Sequence, residues 1–237
     1  MFFGLWWDWT LILLVPGILF TLWAQYKVTS NYSRYSSVSL RHGMTGATVA
    51  RRILDSNGLS HVPIELVRGH LSDHYDPRKK VLRLSESVYH GNNVAAVGVA
   101  AHEAGHALQD AKAYAPLRAR IALVPVCNIG SGLAMPLFFI GLLISGLSFL
   151  GDWLMFAGIL AFSLSELFQL VTLPVEFNAS RRALRCLEGS GTMSTQELEG
   201  SRRVLSAAAM TYVAALAVGL LSLLRLLLIA GSCSRRD

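Results

Sequence analysis

The stretch Ala-His-Glu-Ala-Gly-His at positions 101–106 places two histidines four residues apart, with a glutamate directly after the first. On a helix, positions i and i+4 lie on one face, so His102 and His106 can direct a ring nitrogen at one point. Two neutral imidazoles at this spacing suit zinc, and Glu103 beside them can act as general base towards a zinc-activated water. The stretch therefore predicts a zinc site on a helix.

The flanking residues predict where this helix begins and ends. Asn92 and Asn93 are both suitable N-cap residues. Small and apolar residues follow from Val94 and continue through the motif to Ala111, and Pro116 then stops the helix. Small residues around the two histidines would also allow another segment of the chain to approach the metal.

The composition predicts a membrane protein. Of the 237 residues, 53% are hydrophobic and only 15% are charged, whereas a soluble domain has about 25% charged residues. The net charge is +6, and in a membrane protein an excess of basic residues usually reflects topology and contact with anionic lipid. Basic and aromatic residues are not interleaved, so a nucleic-acid partner is not expected.

The apolar segments predict about four transmembrane helices. Leu5–Ala24 is long enough to cross a bilayer and has aromatic residues near both ends, as interfacial positions do. After it, Asn31–Ser39 has the composition of an irregular connector. Ile121–Leu173 is expected to form a hairpin of two spans broken at Asp152, and Ala207–Gly231 a fourth span.

Two polar segments separate these spans. Lys27–Arg120 and Pro174–Ser206 together hold 18 of the 21 basic residues, so the positive-inside rule predicts that both face the cytoplasm. The first is expected to fold as a small α+β unit in which Thr45 caps a helix. Val62–Val67 and Lys79–Leu84 have strand patterns. The predicted hairpin would offer an edge strand to an extended peptide.

A turn is expected at Leu71–Pro77, between the two strands. A catalytic zinc usually takes three protein ligands, and the acids on the cytoplasmic side leave more than one candidate for the third. They are Asp73, Asp76, Asp110 and Glu176. Glu176 is favoured because it is expected to begin a helix directly at a membrane exit, at a depth that can match the histidines.

Four blocks of the sequence resemble the YugP-like family of bacterial neutral zinc metallopeptidases. They lie at 71–77, 81–85, 100–107 and 173–183, and the last reads Leu-Pro-Val-Glu-Phe-Asn-Ala-Ser-Arg-Arg-Ala. The resemblance implies that Glu176 is the third ligand of one Zn²⁺ per chain. It also implies a metalloendopeptidase of the gluzincin type in the bacterial inner membrane.

The chain is more distantly similar to the HtpX-like and CaaX-prenyl-protease membrane metallopeptidases. The HtpX-like proteins carry an aspartate four residues after the ligand glutamate, where this chain has Ser180. Asn178 or Ser180 is therefore the candidate for orienting a ligand histidine. His74, Tyr75 and Arg181 are candidates for stabilising an oxyanion.

These observations predict a mainly α membrane protein with about four transmembrane helices and a small α+β, zincin-like cytoplasmic unit that carries the H-E-x-x-H helix. The expected activity is hydrolysis of a protein or peptide substrate, which can itself be membrane-associated. Two alternatives stay open: a non-catalytic membrane protein with a structural zinc, and a metal transporter that also uses Glu166. Glu166 and Arg225 lie inside predicted spans and can pair, snorkel or face a lumen.

Overall fold

The computed structural model describes residues 9–69, 72–145 and 148–234, which are mostly helical. The chain forms two compact units. The helical unit comprises Met1–Trp23, Ala119–Thr172 and Tyr212–Asp237, and the α/β unit comprises Ala24–Arg118 and Leu173–Thr211. The first four residues of the predicted first span lie outside the described residues.

Within the described ranges, four helices are long and apolar enough to cross a membrane. The first begins as a 3₁₀ helix, Trp9–Leu14, and continues as an α-helix. The long α-helices are α1 (Val15–Ser36), α5 (Ala115–Ile144), α6 (Phe149–Gly189) and α7 (Thr195–Ser234). The prediction of a mainly α protein with about four helices of membrane-spanning length and apolarity is confirmed. The break predicted at Asp152 is wrong, because α5 ends at Ile144 and α6 already begins at Phe149.

The first long helix extends further than expected. The irregular connector predicted at Asn31–Ser39 is wrong for most of its length, because α1 continues to Ser36. Asn31 and Ser36 each donate a side-chain hydrogen bond to the carbonyl oxygen four residues earlier, over 2.7 and 2.6 Å. Polar side chains that bond in this way are satisfied within the helix and do not end it.

The last two helices are also continuous where a break was expected. Glu176 does not begin a helix, because α6 runs unbroken through Pro174. Proline removes one backbone donor, but the residues after it are mostly good helix formers, and α6 ends only at Gly189. Likewise α7 runs through the boundary predicted at Ala207.

The α/β unit contains three further helices: α2 (Gly46–Ser56), α3 (Glu86–Tyr89) and α4 (Val94–Ala111). Both predicted caps are confirmed. Thr45 Oγ1 accepts the N–H of Thr48 at 3.3 Å, and Asn93 Oδ1 accepts the N–H of Ala96 at 2.9 Å. Each cap satisfies a backbone donor of the first turn that has no partner inside its helix.

The three strands form one sheet in the order β1-β3-β2. They are β1 (Ile64–Val67), β2 (His74–Asp76) and β3 (Val81–Ser85). The two predicted strands are present with shifted ends, but β1 pairs with β3 in parallel, so the hairpin predicted between them is wrong. The turn predicted at Leu71–Pro77 is wrong at residues 74–76, which form β2 and pair antiparallel with β3; Leu71 lies outside the described residues.

The actual turn lies between β2 and β3. Asp76 Oδ1 accepts the backbone N–H groups of Arg78 and Lys79 at 2.9 and 3.1 Å, and Lys80 follows with a φ of 53°. A short acid that bonds the backbone two residues ahead is typical of tight turns. The sequence therefore predicts a turn correctly, but the turn lies at residues 77–80, after β2 and directly before β3.

One hydrophobic core holds this unit together. It contains buried residues of α2, α4 and β3, together with Ala183 and Leu187 of α6. The strand residues Leu82 and Leu84 are fully buried in it. Residues 173–211 of the chain thus share a core with the motif helix, which brings the end of α6 to the predicted metal residues.

Candidate metal site

Three side chains with metal-binding atoms converge where α4 meets α6. His102 and His106 come from α4, and Glu176 comes from α6. One potential ligand atom of each lies within 4.8 Å of the others. Glu176 Oε2 is 3.2 Å from Nε2 of His102 and 3.7 Å from Nε2 of His106. The structure therefore brings together the three residues that the sequence singled out.

The burial and the chemistry of these groups fit zinc. The Glu176 side chain is 5% exposed, and those of His102 and His106 are 15% and 11% exposed. Two imidazole nitrogens and a carboxylate are a ligand set that catalytic zinc sites use, with one coordination position left open. Both Nε2 atoms face the same carboxylate oxygen, so a single ion between them can contact all three groups.

Ser180 holds the first histidine from behind. Its hydroxyl lies 3.0 Å from Nδ1 of His102, the nitrogen that points away from Glu176. Ser180 is buried and follows Glu176 by one helical turn on α6. Of the two orienting residues expected from the sequence, Ser180 is the one in contact with a histidine.

Gln109 holds the second histidine, and sequence reasoning missed it. Its Oε1 lies 3.0 Å from Nδ1 of His106, and its Nε2 donates to the carbonyl of Val175 and to Oδ1 of Asn178 at 2.7 and 3.1 Å. Gln109 is fully buried. The available signal was its position three residues after His106, on the same helix face.

Gly105 allows the two helices to approach. A methyl group on this residue would lie 2.5 Å from the carbonyl oxygen of Ala179 on α6, a separation that real side chains do not show. Ala179 lies between Glu176 and Ser180 in the sequence. The glycine within the motif is therefore the reason that α6 can bring both residues to the histidines.

Glu103 faces the sheet rather than joining the ligand cluster. Its Oε2 accepts the backbone N–H of Tyr75 on β2 at 3.1 Å. Burial raises the pKa of the Glu103 carboxyl above its ordinary value, and the charges of His106 and His102 offset part of this rise. A carboxylate whose pKa is moved towards neutrality is a better proton acceptor at working pH.

The comparison with known proteins identifies a zinc metallopeptidase family. The family described as "Putative neutral zinc metallopeptidase" matches residues 10–231. The chain belongs to this family. It is also 49% identical over 219 residues to the "Putative membrane protease YugP" of Bacillus subtilis (strain 168), covering 92% of this chain and 95% of that protein. No solved structure matches the chain.

The other acids that were candidate ligands are engaged elsewhere in this zinc metallopeptidase family member. Asp73 accepts hydrogen bonds from the backbone and hydroxyl of Ser85 at 2.7 to 3.0 Å. Asp76 caps the β2–β3 turn. Asp110 forms an ion pair with Lys80. Each of these carboxylates therefore has a structural role in the α/β unit.

The three oxyanion candidates have different surroundings. Nδ1 of His74 lies 2.7 Å from the carbonyl of Ser72 on the exposed side of the sheet. The Tyr75 hydroxyl donates to Asp110 at 2.7 Å, and its pKa is raised by burial and by that acid. Arg181 lines a cavity between α6 and α7. None of these observations assigns an oxyanion donor.

Two charged residues of the helical unit were left open by the sequence. Arg225 Nε donates to Thr10 Oγ1 at 3.2 Å. Glu166 is buried, accepts a hydrogen bond from Gln169 at 3.2 Å, and lies where Gly219 leaves room for its carboxyl group. Both belong to the unit that does not contain the metal cluster.

Proposed function

We propose that this protein is a membrane-embedded zinc metalloendopeptidase of the gluzincin type. One Zn²⁺ per chain would be held by His102, His106 and Glu176, on a zincin-like unit whose H-E-x-x-H helix is α4. One observation carries the proposal: both Nε2 atoms face one oxygen of Glu176, while Ser180 and Gln109 occupy the opposite ring nitrogens.

When bound, zinc would supply Lewis-acid chemistry, which polarises a scissile carbonyl and acidifies water. The chain's own residues prepare for this in two ways. The contacts of Ser180 and Gln109 keep the Nε2 atoms free and the rings fixed, as partners of metal-binding histidines do. Glu176 supplies the negative charge of the ligand set from a buried position.

Glu103 is the proposed general base. It would take a proton from the attacking water as the oxygen bonds to the carbonyl carbon, and would return that proton to the leaving amine nitrogen as the C–N bond breaks. The backbone N–H of Tyr75 fixes one of its oxygens at 3.1 Å. This contact orients the carboxylate and leaves its second oxygen for the proton.

The active site is proposed to face the cytoplasm. The α/β unit contains nearly all of both basic segments, because it spans Ala24–Arg118 and Leu173–Thr211. Segments of one compact unit lie on one side of a membrane, and the positive-inside rule assigns basic segments to the cytoplasm. The proposed substrate is a protein or peptide, including one associated with the membrane.

The test compares Glu103→Gln with the wild type in hydrolysis of a fluorogenic peptide library by purified, zinc-loaded protein. The variant keeps the shape of the side chain but cannot accept the proton. Zinc should stay bound while hydrolysis falls by about 10²–10⁴. Glu86→Gln, an exposed acid on α3, is the matched control and should keep full activity. Full activity in Glu103→Gln, or a zinc-loaded wild type that cleaves nothing, would contradict the proposal.

A further inference from the structure

A cavity of about 430 Å³ lies in the α/β unit, between α6 and α7. Three arginines line it: Arg181 and Arg185 from α6, and Arg202 from α7. The single acid in its lining is Glu188. The cavity therefore carries a strong excess of positive charge, and it is separate from the ligand cluster of the proposed metal site.

The two arginines on α6 form no ion pair with Glu188 or with any other acid among the described residues. Arg181 and Arg185 are four residues apart on one helix face, where like charges repel. Neither makes a hydrogen bond or ion pair with any residue in the part of the chain that the structure describes. Arg202 lies 3.6 Å from Glu199. Two unpaired guanidinium groups directed at one cavity favour an anionic ligand, which they can bind in bidentate fashion.

Apolar residues of the lining lie mostly towards one end, although Leu184 lies between the two α6 arginines and the lining also contains Ser180, Ser206 and Glu188. Phe177 is 41% exposed and precedes Arg181 by one turn of α6. On α7, Leu205 and Ala209 follow Arg202 towards the residues of the helical unit. The cavity is thus apolar near the ends of the membrane-crossing segments and basic farther from them. A phospholipid has this same order, from its chains to its phosphate.

The depth of the arginines agrees with a phosphate at the membrane surface. Arg181 lies nine positions beyond Thr172, the last α6 residue of the helical unit, which is about 13 Å along a helix. Side chains on a helix tilt towards its N-terminus, and the N-terminal end of α6 is its membrane end. A side chain as long as that of Arg181 would therefore be able to reach back towards headgroups at the membrane surface.

We propose that this cavity binds the headgroup of an anionic phospholipid, with its phosphate on Arg181, Arg185 and Arg202. Basic pockets beside transmembrane helices are known to hold such headgroups. Ser180 forms part of the cavity wall and also contacts His102. The lipid would therefore sit directly behind the residue that holds the first histidine, a feature that goes beyond the proposed peptidase activity.

The test measures thermal stability of the purified full-length protein in neutral detergent as lipid is added. Phosphatidylglycerol should raise Tm in a saturable way, because a ligand that binds only the folded state stabilises it. Phosphatidylcholine, which has no net charge, and soluble glycerol phosphate should not raise it at equal concentration. An equal shift with glycerol phosphate would overturn the lipid assignment, and an equal shift with phosphatidylcholine would overturn the anion requirement.

Two neighbouring arginines on α7 provide a matched pair of variants. Arg202 lines the cavity and Arg203 does not, yet both pair with Glu199 and are similarly exposed, at 54% and 55%. Arg202→Gln should weaken the phosphatidylglycerol response at least about tenfold, as loss of a charge-assisted contact does, and Arg203→Gln should not. Equal loss in both variants would mean general surface attraction and would overturn the site.

Arg181→Gln provides a second, independent variant on α6. It should weaken the same response, while zinc content reports whether the α/β unit is still folded. A folded Arg181→Gln protein with the wild-type response would show that Arg181 does not bind the phosphate and would contradict the proposed site.

Discussion

Gly105→Ala tests whether the approach of α4 and α6 builds the metal site. The added methyl group would lie 2.5 Å from the carbonyl oxygen of Ala179, whereas ordinary contact begins at 3.4 Å. The contacted atom belongs to the backbone and cannot rotate away, and a close-packed interior has no free volume beside it. The two helices must therefore separate by about 0.9 Å. Glu176 and Ser180 lie on the displaced segment of α6.

Gly105→Ala should weaken zinc binding even where the fold tolerates it. Overpacking costs about 1–3 kcal/mol, and alanine in a helix recovers about 1 kcal/mol relative to glycine, so the net loss of folding free energy is about 0–2 kcal/mol. Metal–ligand distances tolerate only about 0.2 Å. A shift several times larger at Glu176 should weaken zinc binding by at least about tenfold, comparable with losses from disturbed outer contacts.

The assay is zinc competition with a chromogenic chelator, together with thermal unfolding of the zinc-free protein. Gly98→Ala is the matched control on the same helix. Its methyl group would lie 3.3 Å from Oγ of Ser201, a contact that a small adjustment relieves, and its gain in helix propensity is the same. Wild-type zinc affinity in Gly105→Ala would refute the reasoning.

Three further predictions concern zinc affinity, its pH dependence and topology. Gln109→Leu should weaken zinc binding by about 10–100-fold, because His106 loses the partner of its Nδ1; unchanged affinity in a chelator titration would contradict this. Burial lowers the pKa of His106, but its bond to Glu176 and the charge of Glu103 outweigh burial and raise it. Because zinc must displace that proton, the apparent zinc Kd should rise about tenfold per unit of acidification below the raised pKa; a Kd independent of pH from about 8 to 6 would count against it. In cysteine labelling of Ser36→Cys and Ser190→Cys variants, both introduced thiols should react from the cytoplasmic side, and labelling from opposite sides would exclude a metal site shared by α4 and α6.

The sequence was most informative where local chemistry decides structure. The caps at Thr45 and Asn93, the limits of α4 and the direction of the two histidines all follow from short-range rules. The small residue at Gly105 also indicated correctly that another segment approaches the motif. In each case the pattern lies within a few residues, so tertiary contacts did not need to be known.

The misses depend on contacts distant in sequence. From the sequence, Gln109 is an ordinary polar residue on α4. Its role becomes visible only in the structure, where its amide nitrogen donates hydrogen bonds to Val175 and Asn178 of α6. Strand β2 has turn-like composition and becomes a strand only by pairing with β3. Glu176 was expected to begin a helix, yet α6 runs through this position because its later residues are held in the core of the α/β unit.

The most direct test of the metal site is the zinc content of purified protein after dialysis against a weak chelator, compared between wild type and Glu176→Ala. Glu188→Ala, an exposed acid near the end of the same helix, is the control. Wild type and control should retain one zinc per chain, and Glu176→Ala far less, because α6 supplies the third ligand. If Glu176→Ala retained one zinc per chain with wild-type affinity, α6 would not complete the site, and the account would be wrong.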